Sequence, residues 1–189
     1  MDDVIMKKLN IAYAAVALAM AFGQQAMAGD GTITFNGKVT DVTCTVAATG
    51  PAGTSTVTLP TVSATALSGD TATAGATPFT ISLSACGGDL TNATNVAVYF
   101  EPGGNVNVDG RLKNIAPTLT AAENVDIALY RADTVSTALS LGKIPTETYA
   151  TIAANGTTAK MDFVAKYYAT AQATAGEVTS NVTYSIVYP

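Results

Sequence analysis

A short segment near the start of the chain alternates apolar and polar residues with a period of two. Ile33, Phe35 and Val39 share one face of this segment when it is extended, and Gly37 lies between the last two on the same face. A glycine there leaves a gap, and in most strands such a residue weakens the strand or marks a bulge. The pattern predicts a β-strand that needs a sheet to join, either in its own molecule or in another.

The rest of the chain alternates in short runs, which predicts half-buried antiparallel strands. Turn signals such as Asp109-Gly110 and Asn155-Gly156 separate these runs, and helix is nearly absent, with at most a turn near residues 120–123. Short strands at this spacing favour an all-β sandwich. The inward-facing residues of the runs are Val57, Leu59, Phe79, Ile81, Leu83, Val96, Val98, Phe100, Ile127, Leu129, Met161, Phe163, Ala165 and Tyr167.

The end of the chain alternates as well, up to the penultimate residue. Domains usually end in frayed polar residues, whereas this sequence ends inside a segment with a good apolar face. The segment is either an ordinary last strand at the edge of its own sheet or a pairing element that another protein recognises. Its apolar face consists of Val178, Ser180, Val182, Tyr184, Ile186 and Tyr188.

Residues 1–28 have the features of a cleavable export signal. Lys7 and Lys8 precede an apolar stretch over residues 11–22, and residues 26–28 are the small residues that a signal peptidase accepts. As a helix the apolar stretch spans about 18 Å, which is too short for a bilayer core of about 30 Å. We therefore expect an exported chain that begins at Gly29.

Charge and composition narrow the possible partners. The mature chain has about 160 residues, enough for one domain with a real core. With a net charge of −5 and few basic residues, the chain lacks the basic surface that binds nucleic acid or an anionic membrane. Because only 12% of the residues are charged, we expect much of the apolar surface to face another protein chain. A β-protein rich in Ala and Thr reaches a similarly low fraction of charged residues without such a partner.

The two cysteines, Cys44 and Cys86, are expected to form a disulfide because the chain is exported. Closing a loop of this length restricts the unfolded chain by roughly 4 kcal/mol in the loop-entropy model. Free or intermolecular thiols are the alternative. A metal site is disfavoured because the chain has no His and two thiols do not complete a zinc shell.

A catalytic site is hard to assemble from this sequence. Without His, a serine or cysteine nucleophile lacks its usual base. Paired acids such as Asp126 with Asp133, or Glu101 with Asp109, suit a glycosidase in principle, but acids in turns are far more often solvated. The glycines at 103 and 104 lack the following helix that phosphate binding requires. We expect no enzyme activity, no cofactor and no small-molecule substrate.

Four sequence elements, in order and at matching spacing, resemble the chaperone-usher pilins, the type 1 fimbrial major-subunit family of Gram-negative bacteria. Each element alone is weak, but the similarity extends from Gly31 to Tyr188. The elements are the run 31–39 followed by Cys44, the segment 78–86, the segment 161–168, and Gly176, fourteenth from the end, with the penultimate Tyr188.

The resemblance implies an incomplete immunoglobulin-like β-sandwich that lacks its last strand and receives a donor strand from another subunit. It implies a signal peptide over residues 1–28, a donor-strand extension over 29–42 and a pilin domain over 43–189. The expected function is that of a structural subunit of an adhesive fimbria at the cell surface. The expected partners are identical or related pilin subunits, a periplasmic chaperone and an outer-membrane usher.

The resemblance also assigns roles to individual residues. Ile33, Phe35 and Val39 would enter the groove of the neighbouring subunit, Gly37 would fit a shallow pocket, and Asp41 would lie at the far end. The strand that borders the groove and pairs with the chaperone would contain Gly176, Tyr184, Ile186 and Tyr188.

Two other functions are compatible with the sequence. The first is a minor or tip-adaptor subunit of the same kind of fibre, which would use the same joint. The second is a secreted β-sandwich binding domain that is complete by itself, in which the alternating run 33–39 would be a strand of its own sheet.

Overall fold

The computed structural model describes residue 34, residues 37–50 and residues 55–189. The chain divides into two compact units, residues 1–39 and residues 40–189, and the fold given below is that of the second. The predicted leader and two residues of the predicted donor strand, Ile33 and Phe35, lie outside the described residues.

The second unit is built from antiparallel strands in two sheets, which confirms the predicted all-β class. One sheet has the order β1-β2-β7-β5-β4, and the other has the order β6-β3-β8. Nothing in the described part of the chain has the length and apolar character of a membrane-spanning helix. The strands are β1 (Thr43–Thr49), β2 (Thr73–Gly87), β3 (Thr94–Phe100), β4 (Leu112–Lys113), β5 (Val125–Arg131), β6 (Ala150–Ile152), β7 (Ala159–Ala169) and β8 (Tyr184–Val187).

Alternation explains the long strands β2 and β7. Ile81 and Leu83 on β2 face Met161 and Phe163 on β7 from the same side of the sheet, and the residues between them are more exposed. Strand β5 is different, because Val125 to Tyr130 are all buried. Its outer face carries Asp126 and Tyr130, which are covered by the side chains of Arg111 and Lys166, so β5 is packed on both sides.

Phe163 holds the two sheets together at the centre of the main core. Its ring is fully buried, stacks on Phe79 of β2 at 5.3 Å between centroids, and meets Phe100 of β3 edge-on at 5.5 Å. Tyr149 contacts the same ring edge-on at 6.1 Å. These geometries are the favoured ones for aromatic pairs, so Phe163 joins residues of both sheets into one cluster.

We expect Phe163→Ala to lower the free energy of unfolding by about 3–5 kcal/mol, since it removes a buried ring and leaves a cavity. The measurement is denaturant unfolding of the mature chain. Val108→Ala is the control, because Val108 is fully exposed and its truncation should change stability by less than about 0.5 kcal/mol. Equal effects of the two substitutions would contradict the central position of Phe163.

Cys44 on β1 and Cys86 on β2 form the disulfide that an exported chain was expected to have. It links neighbouring strands close to the Thr43–Gly87 pair. The register shifts between Thr43 and Thr45, where β2 carries an extra residue and Ala85 has a positive φ of 48°. This bulge ends regular pairing at the end of β1 where the chain enters the domain.

Two details of the predicted strands are wrong. Val57 and Leu59 are half-buried against the core, but no strand includes them. The C-terminal strand begins at Tyr184 and not at Val178. A short 3-10 helix over Ala64–Leu67 was also not predicted. In residues 57–59 and 178–183, the alternation indicates which side chains face the core. It does not report whether the backbone has a hydrogen-bonded neighbour.

Candidate functional site: an open groove between two strand edges

Strand β8 has a partner on one side. It pairs with β3 through Ala97–Val187 to Phe100–Tyr184, and the Glu101 N–H continues the ladder by donating to the Thr183 carbonyl at 2.9 Å. In an antiparallel pair, every second residue directs its N–H and C=O groups toward the paired strand, and the residues between direct theirs to the opposite side. The N–H and C=O groups of Tyr184 and Ile186 therefore point to the open edge.

Strand β1 is the edge of the other sheet and lies across from β8. The space between the two edges forms a groove with a cavity volume of about 460 Å³ at its outer end. Among the described residues, neither edge is paired along this groove. The residues that line this outer part are Thr43, Cys44, Val46, Tyr184, Ser185, Ile186 and Tyr188.

The groove continues inward into a second cavity of about 340 Å³, and Tyr184 lines both parts. The inner part reaches core residues of both sheets, including Phe79, Phe100 and Ile127. Side chains that a complete sandwich would cover therefore line an open cavity between the strand edges. The alternation predicts Val57, Leu59 and Leu129 to face inward but not to line a groove, and it does not identify Ala48 or Leu112, because these residues come from distant segments.

The C-terminal segment has the apolar face that its alternation predicts, and this face lies along the groove. Val182, Tyr184, Ile186 and Tyr188 are half-buried and pack against the main core. Burial raises the pKa of the Tyr188 phenol, which is neutral at physiological pH even without this shift. On the opposite face, the Ser185 hydroxyl donates to the Glu101 carboxylate. The part of the C-terminal segment that lines the groove contains no charged residue.

Three residues of the predicted donor strand are described. The Val39 side chain is 97% exposed, and a Cβ atom on Gly37 would meet no atom within 4 Å. Asp41 is exposed as well. Gly37 and Val39 belong to the first unit, and Asp41 belongs to the second.

Asp41 and Val42 mark the start of the domain. The Asp41 Oδ1 atom accepts a hydrogen bond from the Asp89 N–H at 3.2 Å, and Val42 is buried in the main core. Gly88 has a φ of +97°, and a Cβ there would lie 2.5 Å from the Asp41 carbonyl oxygen. Only glycine permits this approach. Val42, the last residue of the predicted extension, therefore belongs to the domain core.

Gly176 lies against a different segment. A Cβ at this position would lie 2.3 Å from the Ala122 N atom, and the neighbouring Glu177 exchanges backbone hydrogen bonds with Thr120 and Ala122. Gly176 therefore permits the C-terminal segment to pack on residues 120–122. Tyr184, Ile186 and Tyr188 meet at the groove, whereas Gly176 does not line it.

The described residues contain no group of three or more Cys, Asp or Glu side chains that could hold a metal ion. Their best-buried ion pair joins Arg111 Nε to Asp126 at 3.0 Å, with Asn107 donating to the same carboxylate at 2.8 Å. Burial opposes the charge on Arg111, but Asp126 and Asp109 outweigh it and raise its pKa. This cluster holds the 107–111 turn against β5 and does not line the groove.

Comparison with known proteins gives consistent matches. The family model for FimA, type-1 fimbrial protein, A, matches residues 59–189. The chain is 45% identical over 174 residues to the F17 fimbrial protein of Escherichia coli, covering 90% of this chain and 94% of that protein. It is also 45% identical over 170 residues to the major fimbrial subunit SMF-1 of Stenotrophomonas maltophilia, covering 86% and 95%.

The fold is similar to that of a chain in a solved chaperone-usher pilus, a structure that concerns rod uncoiling. The TM-score is 0.53 at 16% identity, and the match covers 88% of this chain and 100% of the other. At this identity the likeness concerns the fold.

Proposed function

Because the chain belongs to the type-1 fimbrial protein family and is a structural fimbrial subunit, we propose that its subunits join by donor-strand exchange. Residues 29–41 of one subunit fill the groove between β1 and β8 of the next. The observation that carries this proposal is the open cavity between two strand edges, which exposes core residues of both sheets. We place the end of the extension at Asp41 because Val42 is part of the domain core.

The groove offers both kinds of contact that strand addition uses. Tyr184 and Ile186 direct free backbone groups to the open edge while their side chains face the cavity. An inserted strand would gain ladder hydrogen bonds and bury its alternate side chains. Burying Ile33, Phe35 and Val39 contributes roughly 5–9 kcal/mol before the ordering of the segment is subtracted.

The fibre and its assembly partners follow from the same proposal. A groove that exposes core residues needs a temporary occupant before assembly, which we assign to a periplasmic chaperone that pairs with β8. An outer-membrane usher would then pass subunits to the surface. The relative that is named a major fimbrial subunit supports a place in the fibre shaft. A structural subunit of this kind requires no catalysis, and we propose that the chain is not an enzyme.

The proposal is tested by adding the missing strand as a peptide. The acceptor is the chain from Asp41 onward, which contains both described core clusters. A peptide of residues 29–41 should raise its melting temperature, with about 2.7 kcal/mol of stabilisation at a peptide concentration 100 times the Kd.

Two matched peptides test which side chains of the inserted strand enter the groove. Phe35→Asp with Val39→Asp places two charges on the inward face and should abolish stabilisation. Thr34→Asp with Asn36→Asp adds the same charge to the outward face and should largely preserve it. If the unchanged peptide gives no stabilisation, or if both charged peptides act alike, the groove does not accept this segment as a strand.

A further inference from the structure

One buried polar atom in the groove has no partner. The Ser180 Oγ atom is shielded from solvent, and no described residue makes a hydrogen bond to it. Ser180 lines the inner cavity together with Val182 and Tyr184 and interrupts their apolar row. A buried hydroxyl without a partner destabilises a fold, so native structures almost always satisfy it.

The partner of Ser180 should come from the segment that fills the cavity, and the Ser180 side chain must turn toward the cavity to meet it, because its Oγ atom is otherwise shielded. This step rests on the donor-strand function proposed above. The inward face of the donor is Ile33, Phe35, Gly37, Val39 and Asp41, so its one polar side chain is that of Asp41. A carboxylate accepts a hydrogen bond from a hydroxyl more strongly than a neutral group does.

We propose that Ser180 sets the register of the donor strand by donating a hydrogen bond to Asp41 of the neighbouring subunit. With the donor antiparallel to the C-terminal segment, Val39 then lies opposite Val182, and Gly37 lies opposite Tyr184. A shift by two residues places the carboxylate against Val178 or Val182 and leaves Ser180 unpaired. The same shift removes the glycine from its position beside the large Tyr184 ring.

Asp41 is positioned for this role by its own subunit. Its Oδ1 atom accepts the Asp89 N–H, and among the described residues its Oδ2 atom accepts no hydrogen bond. Gly88 holds the backbone at residues 41 and 42 by close contact. One carboxylate thus bridges two subunits, with Oδ1 on its own domain and Oδ2 on Ser180 of the neighbour. Because the carboxylate is already oriented, little extra ordering is needed at the joint.

A double-mutant cycle tests the contact in assembled fibres. Ser180→Ala and Asp41→Ala should each speed dissociation of the joints in guanidinium chloride, by roughly tenfold or more for a charged hydrogen bond. The double variant should dissociate no faster than the faster single variant, because both changes remove the same interaction. Thr183→Ala on the outward face is the control and should leave the rate unchanged. Additive effects of the two substitutions would overturn the contact.

Cross-linking tests the register independently. A chain with Val39→Cys and Val182→Cys should form disulfides between subunits, because directly opposed residues lie about 5.5 Å apart between Cα atoms. Val39→Cys combined with Ser180→Cys or Tyr184→Cys should cross-link poorly, since these pairs are diagonal. Strong cross-linking of a diagonal pair would overturn the register while leaving strand exchange intact. Fibres that form without residues 29–40 would instead overturn strand exchange itself.

Discussion

A chain that lacks residues 29–40 but keeps the leader and Asp41 will be exported and will not build fibres. The deletion removes the inward side chains Ile33, Phe35 and Val39, whose burial contributes roughly 5–9 kcal/mol before ordering costs, an upper bound of roughly 10⁴- to 10⁶-fold on the weakening of the joint. The domain should stay intact, because Asp41 keeps its bond to Asp89 and Val42 keeps its place in the core. The measurement is the yield and gel migration of material sheared from the cell surface, with and without boiling in denaturant.

The deleted chain keeps an intact groove, which supplies a control. Expressed together with the full chain, it should shorten fibres in proportion to its share, because it accepts a strand but donates none. A second control carries alanine at Thr34, Asn36 and Lys38, keeps the inward face and should assemble. Fibres of normal length from the deleted chain alone would show that subunits join by another surface.

Local alternation was enough to predict much of the fold. It identified the inward residues of β2, β3, β5 and β7, because a residue that faces the core must be apolar whatever its partner is. It failed for residues 55–59, where Val57 and Leu59 are half-buried at the groove but belong to no hydrogen-bonded strand. Which side chains point to the core is a local property of the sequence. Strand pairing depends instead on which distant segment lies alongside.

In the candidate site, too, local features were predictable and long-range pairing was not. The sequence predicted the apolar face of the C-terminal segment, and the family resemblance assigned that face to a groove. It could not predict that β8 pairs with β3 while its other edge stays open, since this register joins Val98 to Ile186 across much of the chain. Ser180 also escaped notice, because a serine in an apolar row becomes significant only when its hydroxyl is found buried and unpaired.

Gly37→Val should slow assembly and weaken every joint in the fibre. Gly37 lies outside the unit formed by residues 40–189, so the substitution should leave that domain and its disulfide unchanged. In the groove, three added carbon atoms would meet the Tyr184 side of the cavity, and overpacking of this kind destabilises by about 1–3 kcal/mol. The expected result is a roughly 10- to 100-fold faster dissociation of joints in denaturant, together with fewer fibres on cells.

The size of the substituent separates a shallow pocket from an ordinary strand glycine. If Gly37 merely weakens or bulges the donor strand, Gly37→Ala and Gly37→Val should both strengthen the joint, because each reduces the freedom of the unbound segment. If the groove is shallow there, the loss should grow from alanine to valine. Lys38→Val is the matched control on the outward face and should assemble normally. Normal or faster assembly of Gly37→Val would remove the steric argument and leave the glycine as a feature of the free strand.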